Sequence, residues 1–196
     1  MPRVSREQTE RNRLLIEAAS ARLFKEHGLN GVSVADIMAG AGLTHGGFYG
    51  HFESKDELAS IACARAFEES AARWEAFGEH GATEQAALAT LAKHYLSAKQ
   101  RDDPGFSCPA HSLAADVGRE EASKPVRSAY ARGLKTLLGV LMSYSKARRT
   151  RRERRRALAR MSMLVGAVTL ARAVRGDPLS DEILEAAREH LALEAR

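Results

Sequence analysis

The sequence predicts an all-α protein, with an N-terminal three-helix head of helix-turn-helix type followed by a larger helical body, about nine helices in all. Three observations carry this prediction. Alanine, leucine, arginine and glutamate dominate the 196 residues, runs of β-branched residues are absent, and the breaks fall at glycine and proline clusters separated by helical lengths. A chain of this length buries roughly 70% of the surface its unfolded form exposes, enough for a core without disulfide or metal.

The first helix is expected from about Gln8 to His27, with Ile16, Ala19, Leu23 and Phe24 on one face and Gly28 as a left-handed cap. Ser33, three residues ahead of Asp36, opens a short second helix whose inward residues are Val34, Ile37 and Met38. Gly42 suits the tight turn that follows, because glycine tolerates positive φ. Thr44 is placed to cap a third helix, HGGFYGHF, in which Phe48 and Phe52 read as core. Ser54-Lys55-Asp56-Glu57 then forms a capping box ahead of Leu58 and Ile61. Beyond it, helices are expected at about 55–78, 83–101, 109–118, 123–147, 152–175 and 179–194. The division is 1–54 for the head and 55–196 for the body.

Charge is distributed unevenly. The formal net charge is +5 and the sequence pI about 9.5. Yet residues 1–60 hold seven Lys/Arg and eight Asp/Glu, a net −1, whereas 146–160 hold nine basic residues and one acid, a net +8. Two readings of the basic run stay open, a solvated face and a surface for nucleic acid or an acidic partner. Cys63 and Cys108 lack metal-ligand spacing, which suits a reducing compartment and argues against structural zinc. No stretch reaches the roughly 18 apolar residues of a membrane span, and Met1 is followed by polar residues, so a cytoplasmic location is expected, without membrane contact. No Ser-His-Asp order, paired-carboxylate helix or phosphate loop can be assembled, so neither an enzyme nor a cofactor is expected.

The stretch GVSVADIMAGAGLTHGGFYGHFESKDEL, residues 31–58, resembles the signature of TetR (tetracycline-repressor-like) regulators: a helix, a glycine turn, a recognition helix with a Tyr-x-His-Phe run, then Ser-Lys-Asp. The resemblance is dense from residue 8 to about 62, and beyond that extends to length and helical layout. It implies a sequence-specific regulator, a repressor released from a double-stranded operator by a small molecule. It also implies contacts to the DNA backbone from Thr44, Tyr49, His51 and Lys55, with Ser33 at the start of the second helix. Physical chemistry agrees, since helix N-termini, phenols and ammonium groups offer donors to phosphate. Base reading falls to the N-terminal half of the third helix, His45, Gly46, Gly47 and Tyr49, where imidazole is the one strong base-edge group. Arg3 and Arg6 of the amino-terminal arm either enter the minor groove or stay solvated, and Arg11 and Arg13 are similar candidates.

In such regulators the ligand lies inside the body, where this chain places Phe67, Trp74, Phe77, Tyr95, Phe106, Cys108, His111, Tyr130, Met142, Tyr144 and Met161. The list holds few charges and favours an apolar or aromatic inducer, although each residue also reads as ordinary core. The last two helices are expected to build a homodimer through Met161, Leu164, Val165, Val168 and Ala171 with Ile183, Leu184, Ala187 and Leu191. A two-fold protein calls for a palindromic operator. Cys108, just ahead of Pro109 and three residues before His111, reads either as a reactive thiol at a helix start or as a small apolar filler.

Overall fold

The computed structural model describes residues 6–145 and 150–194. Arg3 and the first part of the basic run, 146–149, lie outside them. The described residues are helical and contain no strand: α1 (Arg6–His27), α2 (Val34–Gly40), a 3-10 helix (His45–Gly50), α3 (Lys55–His80), α4 (Glu84–Tyr95), α5 (Ala98–Asp102), α6 (Pro109–Ser112), α7 (Ala114–Arg119), α8 (Pro125–Ser143), α9 (Arg151–Ala173) and α10 (Leu179–Glu194). Among them, no helix is long and apolar enough to cross a membrane.

Two expected helices are each split. The helix over 83–101 breaks at Leu96 and Ser97, because the Ser97 hydroxyl donates to the His94 carbonyl (2.8 Å) and accepts from the Gln100 amide (3.3 Å). A serine that bonds the backbone on both sides competes with the helical ladder, and the chain restarts as α5. The helix over 109–118 breaks at Leu113, which is buried and serves as the C-terminal cap of α6 and the N-terminal cap of α7.

The head and body share one continuous core, running from Ile16 and Phe24 through Phe48 and Leu58 to Trp74, Leu137 and Leu164. Its spine is α3 packed on α8. Gly133 makes that packing close, because a Cβ there would fall 2.2 Å from the Phe67 ring. The two helices run parallel. Lys124, just before α8, pairs with Asp56 at the start of α3, while Tyr144 at the far end of α8 lies on Gly78 and donates to the Trp74 carbonyl. At 1.5 Å per residue the 26 residues of α3 place these two ends about 39 Å apart.

The end of α1 is fastened to the body by its own chemistry. Gly28 has φ +80°, the left-handed cap expected, and its missing Cβ makes room for Asp116, whose carboxylate accepts from the Leu29 amide (3.3 Å). Asn30 donates to Glu120 (2.8 Å), and the buried Lys25 ammonium lies 3.4 Å from the Ser107 carbonyl. Burial pulls the Lys25 pKa below that of an ordinary lysine.

Candidate nucleic-acid interface

The head is built so that one short segment is anchored at a single point and bare everywhere else. Ser33 and Asp36 form the complete capping box at α2: the Asp36 amide donates to the Ser33 hydroxyl (3.1 Å), and the Ser33 amide (2.8 Å) and hydroxyl (2.6 Å) donate to the Asp36 carboxylate. Those Ser33 bonds hold the Asp36 carboxyl below the usual carboxylate range. The Ser33 hydroxyl proton is thereby committed inside the protein, so this residue offers phosphate no hydroxyl donor without breaking its cap. Gly42 takes φ +71° in the turn.

The third helix is 3-10, and it covers His45–Gly50 only. Thr44 occupies the cap position in extended backbone but makes no side-chain cap bond, contrary to the expectation for it. Three glycines in six residues explain the short element, since each costs roughly 1 kcal/mol in helix propensity. Phe48 alone enters the core, edge-on to Tyr49 (5.1 Å) and tilted against Phe52 (5.7 Å). Thr44, His45, Gly46, Gly47, Tyr49 and Gly50 all face outward, and Tyr49 is 72% exposed.

The glycines here do not serve the protein's own packing. A Cβ at Gly46 or Gly50 would meet nothing within 4 Å, and one at Gly47 would lie in ordinary contact with Met38. None of the three has positive φ. What their missing side chains leave is bare backbone on the outer surface, which suits close approach to another molecule. His51 and Lys55 are half-buried at the edge of the same surface, and Arg6 is exposed at the start of α1. Glu57 completes the α3 start by accepting from the Glu53 amide (2.7 Å), one residue ahead of the position expected, while Ser54 caps the Glu57 amide (3.1 Å).

Arg13, a candidate for DNA contact in the sequence, has a different placement. Its guanidinium lies over the Phe52 ring (4.4 Å), donates to Glu17 (3.1 Å) and to the His51 carbonyl, and so ties α1 to the end of the 3-10 segment. The i,i+4 spacing of Arg13 and Glu17 was a visible signal for that role.

In the body, the residues expected to line a ligand pocket pack mostly against one another. Phe67 meets Tyr130 (5.2 Å), Trp74 meets Tyr95 (5.7 Å), Tyr95 meets His111 (5.8 Å), and His94 bridges Phe77 (5.1 Å) and Phe106 (5.9 Å). Met161 is buried core. A cleft of about 730 Å³ opens where α3 ends and α4 begins, between Glu75, Glu79, Glu84 and Tyr144. Of the expected lining residues Tyr144 alone borders it, while Met142 borders two neighbouring clefts and Phe67 a small one beside Arg132.

Cys108 and His111 are both buried. Burial raises the thiol pKa, and the Cys108 amide donates to the Gln100 carboxamide (3.0 Å). Burial outweighs the bonds that the Ala110 backbone, Tyr95 and Ser70 offer the sulfur, so the four-residue α6 does not make it a thiolate. Both ring nitrogens of His111 are buried without a partner, and desolvation pulls its pKa down to about 3.

The dimer residues named from the sequence also turn inward. Met161, Leu164, Val168, Ala171, Leu184, Ala187 and Leu191 lie buried in the protomer's own core, with Val165 and Ile183 half-buried. Helical periodicity identified the apolar stripe but not which of two apolar faces meets the protomer. The outward faces carry Leu158 and Leu170 on α9 and Leu179 and Leu193 on α10, all exposed.

Comparison with known proteins sets this geometry in context. Residues 16–60 match the family described as bacterial regulatory proteins, tetR family. Over 58 residues the chain is 43% identical to the HTH-type transcriptional repressor KstR2 of Mycobacterium tuberculosis, a match that takes in 30% of this chain and 28% of that repressor's length. The fold is similar to that of Escherichia coli NemR in its reduced form (TM-score 0.77, 20% identity, 92% of this chain and 95% of that one). It is also similar to FadR from Bacillus subtilis in complex with stearoyl-CoA (TM-score 0.66, 17% identity, 91% and 97%).

Proposed function

We propose that the chain, whose residues 16–60 match the tetR family of bacterial regulatory proteins, is a cytoplasmic homodimer that represses transcription from a palindromic operator and is released by a small molecule. The observation that carries this reading is the outward face of Thr44–Gly50, bare glycine backbone flanked by His45 and Tyr49 and held by Phe48 alone. Tyr49 and Lys55 anchor phosphates, Thr44 and His51 support them, and His45 reads a base edge across Gly46 and Gly47.

Dimerisation uses the outer face of α9 and α10: Leu158, Ser162, Val165, Gly166, Thr169 and Leu170 on one, and Leu179, Ile183, Ala186 and Leu193 on the other. A Cβ at Gly166 would meet nothing in the protomer, so this face admits close approach by a second copy. Two helices from each protomer then form a four-helix interface about a two-fold axis. The inducer enters by the 730 Å³ cleft, where Tyr144 separates solvent from the aromatic interior. A bound acyl-CoA in the similarly folded FadR supports a body able to hold a ligand with a large apolar part.

Selection of bound sequences from random duplex DNA tests the central claim. A palindromic consensus protected by the dimer is the expected result. Binding with no enrichment over random sequence overturns it.

A further inference from the structure

At the end of the molecule remote from the 3-10 segment, a second cleft of about 400 Å³ opens between the last turns of α8 and the first turn of α9. It is lined by Lys135, Gly139, Met142, Thr150, Arg151 and Arg154. Its size falls in the ordinary range for small-molecule sites. Several arginines elsewhere are paired with acids: Arg13 with Glu17, Arg22 with Glu26, Arg101 with Asp102 and Asp181, and Arg160 with Glu84. Among the described residues, Lys135, Arg151 and Arg154 form no ion pair, and no acid is among those lining the cleft. Glu153, the one acid of this turn, borders the adjoining cleft with Ala157 and Arg160. Three cations from two helices therefore border one concavity with no acid among its described lining residues, at a helix start whose dipole adds further positive potential.

We propose that this cleft binds a ligand carrying two or three linked phosphates. Arg151 and Arg154, one turn apart, present guanidinium forks whose geometry matches phosphate oxygens, and Lys135 supplies a point charge from the opposite wall. A single carboxylate needs one of these partners, whereas a phosphate chain uses all three. Gly139 and Met142 provide an apolar floor for whatever the phosphates are attached to. A DNA duplex is a convex rod too broad to enter a cleft between two adjacent helices, so the shape favours a small molecule over a second nucleic-acid surface.

Isothermal titration of the full-length protein with inorganic tripolyphosphate and with adenosine triphosphate, magnesium-free and at physiological ionic strength, tests the proposal. The expected result is saturable binding of one ligand per chain. R151Q/R154Q weakens it at least tenfold, K135Q weakens it severalfold, and R152Q/R155Q, which removes the same charge from outside the cleft, changes it less than threefold. Equal affinity for the two probes assigns recognition to the phosphate chain alone, and tighter binding of the nucleotide adds the floor. The proposal is overturned by absence of saturable binding, by equal losses in the two double variants, by unphosphorylated adenosine binding as well as the triphosphate, or by random duplex DNA displacing tripolyphosphate at lower concentration than the nucleotide does. Lys135 lies on a different helix from the arginines, so its variant decides the matter if the α9 variants fold poorly.

Discussion

The head and the distal end of this molecule carry opposite balances of charge and shape. The head, nearly neutral overall, holds Arg13 and Arg22 in internal bonds and presents backbone, a phenol and an imidazole to the outside. The distal end, whose residues 146–160 carry a net +8 in sequence, presents Lys135, Arg151 and Arg154 around a cleft with no acid among its described lining residues. Basicity alone would place the DNA at the distal end. The proposed interface rests instead on backbone exposed by glycines in the head, because register on a duplex depends on where donors are held more than on how many charges lie nearby.

The sharpest way to break this comparison is to change two neighbours in the head. Phe48→Ala empties the fully buried anchor and should cost about 3–5 kcal/mol, as for other buried aromatics, abolishing operator binding together with the thermal transition of the native protein. Tyr49→Ala, one residue on, should leave the melting temperature within a degree or two and still reduce operator affinity about tenfold, roughly 1.4 kcal/mol. Paired melting curves and operator titrations check both. A Tyr49 variant that binds normally removes the 3-10 segment from the interface.

A second effect separates the interior from both ends. His111 is neutral in the folded protein, with its pKa pulled down to about 3, whereas an unfolded histidine titrates near 6.5. Between those values the unfolded chain binds the extra proton, so stability is present above about pH 6.5 and lost as pH falls toward 3, by at most about 1.4 kcal/mol per pH unit from this residue. Replacing His111 with Leu should flatten that part of the pH–stability curve while leaving operator affinity at pH 7.5 unchanged. An unaltered slope in the variant assigns the acid sensitivity elsewhere. Cys108, in the same buried region, should resist alkylation at pH 8 until the protein unfolds, because its thiol is both desolvated and raised in pKa.

Smaller again is the contribution of a single edge cation. Lys55→Ala should weaken operator binding about fivefold, roughly 1 kcal/mol, uniformly across operator variants, and lower the salt slope by about one. His45→Ala should instead relax preference at one or two base pairs. A measured reversal of these two patterns would exchange their roles.

The head was legible because its signals are local. Ser33 with Asp36, Gly42 at positive φ, and Ser54 ahead of Glu57 are short-range devices, and the structure forms each of them, with Glu57 reaching one residue farther back. The 3-10 form of the third helix was hidden because a Thr cap and an inward Phe look the same in either helix type, although the glycine count was a warning. The body was less legible for a geometric reason. Residues such as Leu164 and Val168 share an apolar stripe with plausible interface positions, and periodicity does not say whether a stripe meets its own protomer or another. The clefts at the ends of α3 and α8 depend on how far apart long helices diverge, which no local pattern records.

The smallest expected effect tests the distal end directly. Replacing Arg151, Arg152, Arg154 and Arg155 together with Gln removes four positive charges, yet operator affinity at physiological salt should stay within threefold, about 0.65 kcal/mol. The reason is distance set against screening. α3, about 39 Å long, separates the reading segment from the end of the molecule where these arginines lie, and that length is several times the roughly 8 Å over which charge is felt at 0.15 M ionic strength. Lowering the salt to about 0.01 M extends that range to roughly 30 Å, and there a modest loss of affinity should emerge in the variant. Melting temperature should not fall, since arginines in the first turn oppose the helix dipole and their removal relieves a few tenths of a kcal/mol each. A loss beyond tenfold at physiological salt, accompanied by a shallower salt slope, would show that duplex DNA reaches the distal end after all.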